Sequence, residues 1–147
     1  MPWATEPAAP QVQRFIALFE GLTRDDLARL GEFYADAVHF SDPFNDIRGV
    51  AALRRVFAQM FDELDSPSFV VIDRIVDGNQ AFLSWDFGFR RRRGRAICIH
   101  GASHLRFGDD GRVVVHRDYW DAAQQLYEKL PLIGGPMRWL RRRLAAR

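Results

Sequence analysis

The chain has 147 residues, 48% of them hydrophobic and 27% charged, and a formal net charge of +2. That length and apolar content suit one globular domain with a real core and leave no room for a second, while so small a charge argues against a nucleic-acid binder working through a general basic field. Cys98 is the only cysteine, so no internal disulfide forms, and no Cys/His spacing suggests a zinc site. In chain order, Met1 to Pro10 has neither the basic nor the apolar part of a secretory signal, and its Pro/Ala content predicts a disordered start at 1–10. Val12, Phe15, Ile16 and Phe19 recur at i, i+3, i+4 and i+7, which predicts a helix burying one stripe and closed by Gly21. Thr23 then caps a short helix carrying Leu27, Leu30 and Phe33, and a strand ends at Asp42. A third helix presents Val50, Leu53, Phe57, Met60, Phe61 and Leu64 on one face, and Asp65-Ser66-Pro67 stops it.

From Phe69 the periodicity becomes that of strands, and turn signals recur at Asp77-Gly78-Asn79, Arg93-Gly94 and Gly108-Asp109-Asp110-Gly111. Four antiparallel strands follow, near 69–76, 80–91, 95–107 and 112–120. Helices first and a meander afterwards predict an α+β domain over 11–130, a cone-shaped curved antiparallel sheet wrapped around the N-terminal helices. A cone with an apolar interior suits a small ligand.

Asp42 is a lone carboxylate in Val38-His39-Phe40-Ser41-Asp42-Pro43-Phe44, a run that otherwise reads as buried strand. A carboxylate there is either tuned for proton transfer or a turn residue of the Asp-Pro pair, and both readings stand. Strand alternation puts His116, Asp118 and Trp120 on one face of the last strand and Arg117, Tyr119 and Asp121 on the other. Asp121 reads as the cap of a helix beginning at Ala122. Asp118 either faces the cone or pairs with an arginine. His100 and His104 fall on the face opposite Ser103, and the parity of Asp86 stays open.

Val12-Gln13-Arg14-Phe15, Phe33-Tyr34-Ala35-Asp36-Ala37, Ser41-Asp42-Pro43, Arg48-Gly49, Leu105-Arg106-Phe107 and Asp118-Tyr119-Trp120-Asp121 together resemble the NTF2-like superfamily, with its ketosteroid isomerases and SnoaL-type polyketide cyclases. The resemblance covers about 11–127 and implies the cystatin-like/NTF2-like cone. It places Asp42 at the isomerases' general-base position. Where those enzymes carry two proton donors for a dienolate, a tyrosine and a protonated aspartate, this chain has Phe15 and Ser103. Losing one oxyanion donor removes about 10²-fold to 10³-fold in rate, so classical steroid isomerisation is not expected. The late-strand acid of the cyclases corresponds to Asp118. The expected catalytic set is Asp42, Asp118 and His116; the expected ligand-facing set is Phe15, Tyr34, Phe40, Phe57, Ser103 and Trp120, with no metal and no cofactor.

The function so implied is a small-molecule pocket, either a cofactor-independent isomerase, cyclase or dehydratase for an apolar or carbonyl-bearing substrate, or a non-catalytic ligand-binding or scaffold domain. Resemblance and apolar sheet faces also predict a homodimer. At the C-terminus, 131–147 carries Arg138, Arg141, Arg142, Arg143 and Arg147 with Met137, Leu140 and Leu144 on one stripe and no acid. Such a basic amphipathic helix suits an anionic membrane surface, a partner or its own domain. The expected compartment is the cytoplasm, with the inner membrane face as the alternative site. Nucleic acid is not an expected partner, since stacking aromatics are not interleaved with the arginines.

Overall fold

The first eleven described residues already carry the core stripe. In the computed structural model, which describes residues 10–91, 94–125 and 134–144, α1 (Pro10–Glu20) buries Val12, Phe15, Ile16, Leu18 and Phe19. Gly21 N–H closes it on the Ala17 carbonyl at 3.2 Å. The next segment, Arg24–Glu32, is a 3-10 helix. Its apolar residues Leu27, Leu30 and Phe33 recur every third position, which is the period of that tighter helix. Thr23 donates to Asp26 Oδ2 from its backbone N–H at 2.8 Å and from its hydroxyl at 3.0 Å.

Six strands form one curved, open sheet in the order β2-β1-β6-β5-β4-β3. They are β1 (Tyr34–Ser41), β2 (Asp46–Arg48), β3 (Leu64–Asp77), β4 (Gln80–Arg91), β5 (Ala96–Phe107) and β6 (Val113–Tyr119), with α2 (Val50–Glu63) between β2 and β3. The last four make the expected antiparallel meander, closed between β3 and β4 by Gly78-Asn79, where Gly78 takes φ 58°. The sheet is not wholly antiparallel, however: β1 runs parallel to β6, because α2 and the meander return the chain to the same edge. β3 begins at Leu64 rather than Phe69. The Asp65-Ser66-Pro67 stop ends α2, yet the chain re-enters the sheet at once through a bulge at Ser66, whose φ is 51°.

Inward positions of the strands alternate with outward ones, and α1 and α2 pack on the inner face. Tyr34, Val38, Phe40, Leu53, Leu105 and Val113 are almost inaccessible, each contributing roughly 1.5–3 kcal/mol of hydrophobic stabilisation. The outer face keeps Val70, Ile75 and Phe82 exposed, with Phe82 stacked on His104 at 4.2 Å. Two further helices lie among the described residues after β6, α3 (Ala122–Gln125) and α4 (Gly134–Leu144). Asp121 caps α3 through Gln124 N–H at 2.9 Å. The 1–9 segment expected to be disordered, the turn residues Arg92 and Arg93, Arg147, and the side chains of Met137, Arg138, Leu140 and Arg141 lie outside the described residues. No described helix is long and apolar enough to cross a membrane.

Candidate active site

A cavity of about 430 Å³ opens between α2 and the inner face of the sheet. β4 lines it with Trp85, Phe87 and Phe89, β1 and the following turn with Phe40 and Phe44, α2 with Phe57, β3 with Phe69 and β6 with Trp120. The rings interlock, Phe69 stacking on Phe87 at 4.4 Å and Phe44 meeting Trp120 edge-on at 5.5 Å. Asp42, Glu63 and Asp118 add carboxylates; Asn45 and Gln59 add amides. A shallower groove of about 540 Å³ adjoins it, sharing Asp42, Asp118 and Trp120, and carries Arg117 on its outer side.

Asp118 is held by a hydrogen-bonded chain running through the core. Its Oδ1 accepts from Ser103 Oγ at 2.5 Å and pairs with His116 Nε2 at 2.7 Å. Tyr34 Oη lies 2.8 Å from His116 Nδ1, and Trp85 Nε1 donates to Ser103 Oγ at 2.9 Å. Burial, reinforced by the Asp118 charge, pushes the Tyr34 phenol well above its ordinary value of 10.0. The phenol therefore keeps its proton; in the tautomer where it donates to Nδ1, the imidazole N–H sits on Nε2, directed at Asp118. His116 itself is 3% exposed and sits among Phe15, Phe19 and Phe40, whose rings lie 4.9–6.1 Å from it. Among the described residues, no donor reaches Asp118 Oδ2, and no acceptor reaches the Trp120 indole N–H.

Local sequence explains the arrangement. Alternation along β6 sends His116, Asp118 and Trp120 inward, and the register pairs Ser103 with Asp118 and Leu105 with His116. Gly101 lies opposite Trp85. A Cβ at Gly101 would come within 2.5–2.9 Å of the Trp85 ring, so only glycine lets the indole cross the strand and reach Ser103. Sequence reasoning overlooked both Trp85 and Gly101. A glycine opposite a tryptophan becomes visible only once the register is known.

Asp42 occupies a different setting. Its Oδ1 accepts from Phe44 N–H at 2.8 Å, Asn45 N–H at 2.7 Å and Asn45 Nδ2 at 3.0 Å, and Oδ2 accepts from Asn45 Nδ2 at 3.2 Å. With Asp42 N–H donating to the Asn45 carbonyl at 2.9 Å, this is an Asx turn joining β1 to β2. Asp42 borders the cavity, but its lone pairs are engaged by the turn. Of the expected ligand-facing residues, Phe40, Phe57 and Trp120 line the cavity, whereas Phe15, Tyr34 and Ser103 stand behind its wall: Phe15 packs against His116, and the two hydroxyls bond inward. Asp118 has no arginine partner among the described residues.

Asp86 faces outward and bonds His100 Nδ1. With Cys98 these residues form, among the described residues, the one group whose metal-ligating atoms lie within 4.8 Å of one another, Cys98 and His100 exposed and Asp86 half-buried, on the opposite face from the cavity. His104 pairs with Gln80 at 2.9 Å.

An open curved sheet with helices on one face and an acid-bearing cavity between them defines an NTF2-like, ketosteroid isomerase-like fold. The chain belongs to the SnoaL-like domain family, whose model matches residues 12–116. Similar solved structures include a hypothetical protein with ketosteroid isomerase-like fold from Catenulispora acidiphila DSM 44928, in complex with trimethylamine. It is 15% identical, at a TM-score of 0.71 over 90% of this chain and 98% of that one. TsrD from Streptomyces laurentii is 20% identical, at 0.69 over 86% and 98%. An epoxide hydrolase from M. tuberculosis is 16% identical, at 0.63 over 78% and 83%. A search of curated proteins finds no significant match.

Proposed function

We propose that the chain is a cofactor-independent acid/base enzyme of the isomerase, cyclase or dehydratase kind, acting on an apolar carbonyl compound with Asp118 as the proton-transferring group. The observation that carries this reading is the Tyr34–His116–Asp118 chain, braced by Ser103. It fixes one carboxylate oxygen and leaves the other, at the cavity wall, without a donor among the described residues. A carboxylate held this way loses little orientational entropy on reaching the transition state. Trp120, two residues along the same face, supplies the free N–H for a developing oxyanion. Asp42 shapes the entrance, bonded to the Asn45 amide, while the Gln59 amide donates to Glu63.

Hydrogen–deuterium exchange at the α-carbon of a panel of cyclic enolisable ketones, followed by NMR, tests this assignment without knowledge of the natural substrate. Wild type should accelerate exchange; Asp118→Asn should abolish the acceleration, and Asp42→Asn should retain it within a few-fold. Loss in Asp42→Asn with retention in Asp118→Asn would reverse the assignment. Binding of the ketones with no exchange in wild type would favour the non-catalytic pocket.

One feature favours an additional membrane role. Helix α4 exposes Trp139 and Leu144 beside Arg142 and Arg143, with no acid in its length. Pelleting with phosphatidylserine vesicles should be lost on deletion of 136–147, and unchanged pelleting removes the idea. The exposed Ile75–Phe82 strip of the outer face is where a second copy would pair; sedimentation of wild type against Phe82→Glu tests it.

A further inference from the structure

The charge on the cavity wall is one-sided. Three carboxylates line it, Asp42, Glu63 and Asp118, and among the described residues no arginine, lysine or histidine does. In a chain where 21 of 147 residues are basic, Lys129 being the sole lysine, that exclusion is specific to this place. Elsewhere the arginines readily cover aromatic rings: Arg14 and Arg29 lie over Phe33, Arg24 over Phe61, and Arg143 over Trp139, each 5.2–5.8 Å from the ring centre. Arg117, at the adjoining groove, is occupied with Tyr119 at 5.1 Å. Phe69, Trp85, Phe87 and Trp120, which line the cavity, carry no such partner among the described residues.

Aromatic faces present negative potential and attract a cation placed over them. Carboxylates at the wall add long-range attraction of the same sign. Resting on the assignment of this cavity as the substrate site, we infer that the carbonyl compound it takes also carries a positive charge: a hydrophobic amino ketone or its quaternary ammonium equivalent, seated with its cationic group among Phe69, Trp85, Phe87 and Trp120 and facing Asp118. A neutral ligand of the same shape would fill the volume without balancing the negative charge that Asp42, Glu63 and Asp118 together place on the wall. An anionic ligand would be repelled.

Benzyltrimethylammonium and neopentylbenzene, its uncharged carbon isostere, separate charge from shape. Titrated into the full chain and followed by NMR at the Trp85 and Trp120 indole N–H signals, the ammonium compound should bind roughly tenfold tighter or more than the isostere. Glu63→Gln, at an exposed helix end where folding is not at stake, should reduce that preference roughly threefold; Asp118→Asn should reduce it further. Equal binding of the two probes overturns the inference while leaving the cavity as the site. Failure of both to perturb either indole signal overturns the site assignment itself. A preference that survives in the Glu63→Gln/Asp118→Asn double variant overturns the role given to the carboxylates.

Discussion

Two carboxylate–imidazole pairs lie on opposite faces of the same sheet. His116 and Asp118, on the inner face, have side chains 4% and 17% exposed; His100 and Asp86, on the outer face, have side chains 74% and 36% exposed. The inner imidazole has both nitrogens engaged and cannot turn, because Tyr34 holds Nδ1 while Asp118 takes Nε2. The outer pair spans two strands in water, where an ion pair contributes about 0–1 kcal/mol and competes with solvent. An acid beside an imidazole thus acquires a defined geometry only where burial and further partners remove its alternatives.

The contrast is most sharply broken by isosteric substitution. Asp118→Asn should lower ketone exchange by roughly 10²-fold or more, whereas Asp86→Asn should leave it unchanged; equal effects would erase the distinction between the faces. Next in size, Gly101→Ala should cost about 1–3 kcal/mol in urea unfolding, because the added Cβ would come within 2.5–2.9 Å of the Trp85 ring and force it from its place. It should also shift the Trp85 indole signal, and a native signal would show that Ser103 is not held through Trp85.

Tyr34→Phe sharpens the comparison through pH. A phenol whose folded value is raised above 10.0 contributes stability that is complete below pH 10 and lost as pH rises towards the folded value. Wild type should therefore lose stability above pH 10, and Tyr34→Phe should flatten that loss while lowering stability at neutral pH by about 1–3 kcal/mol, since His116 Nδ1 loses its donor. An unchanged alkaline slope would contradict the burial of this phenol. The smallest effect belongs to Asp42→Ala, expected to cost about 0.5–1.5 kcal/mol through loss of the Asx turn, read by thermal unfolding, with exchange activity retained.

Periodicity alone identified the stripes of α1 and α2, because a helix must turn its apolar positions one way to bury them. Alternation likewise assigned His116, Asp118 and Trp120 to one face and His100 to the other. The curvature of the sheet, by contrast, cannot be read from any local window, nor can the early start of β3 at Leu64, where a bulge at Ser66 resumes pairing after an apparent stop.

What the sequence by itself determined is a set of faces: which side chains share an inner surface, and that an Asp-Pro pair closes β1. Only the tertiary structure decided which acid is held by its own turn and which by distant strands. Asp42 and Asp118 both border the cavity, and local pattern favours neither. The turn amides two and three residues after Asp42 fold back onto its oxygens, whereas Asp118 meets partners 15 and 84 residues away in the chain, Ser103 directly and Tyr34 through His116. Hydrogen bonds across such separations depend on strand register, and register is set by the packing of the whole sheet.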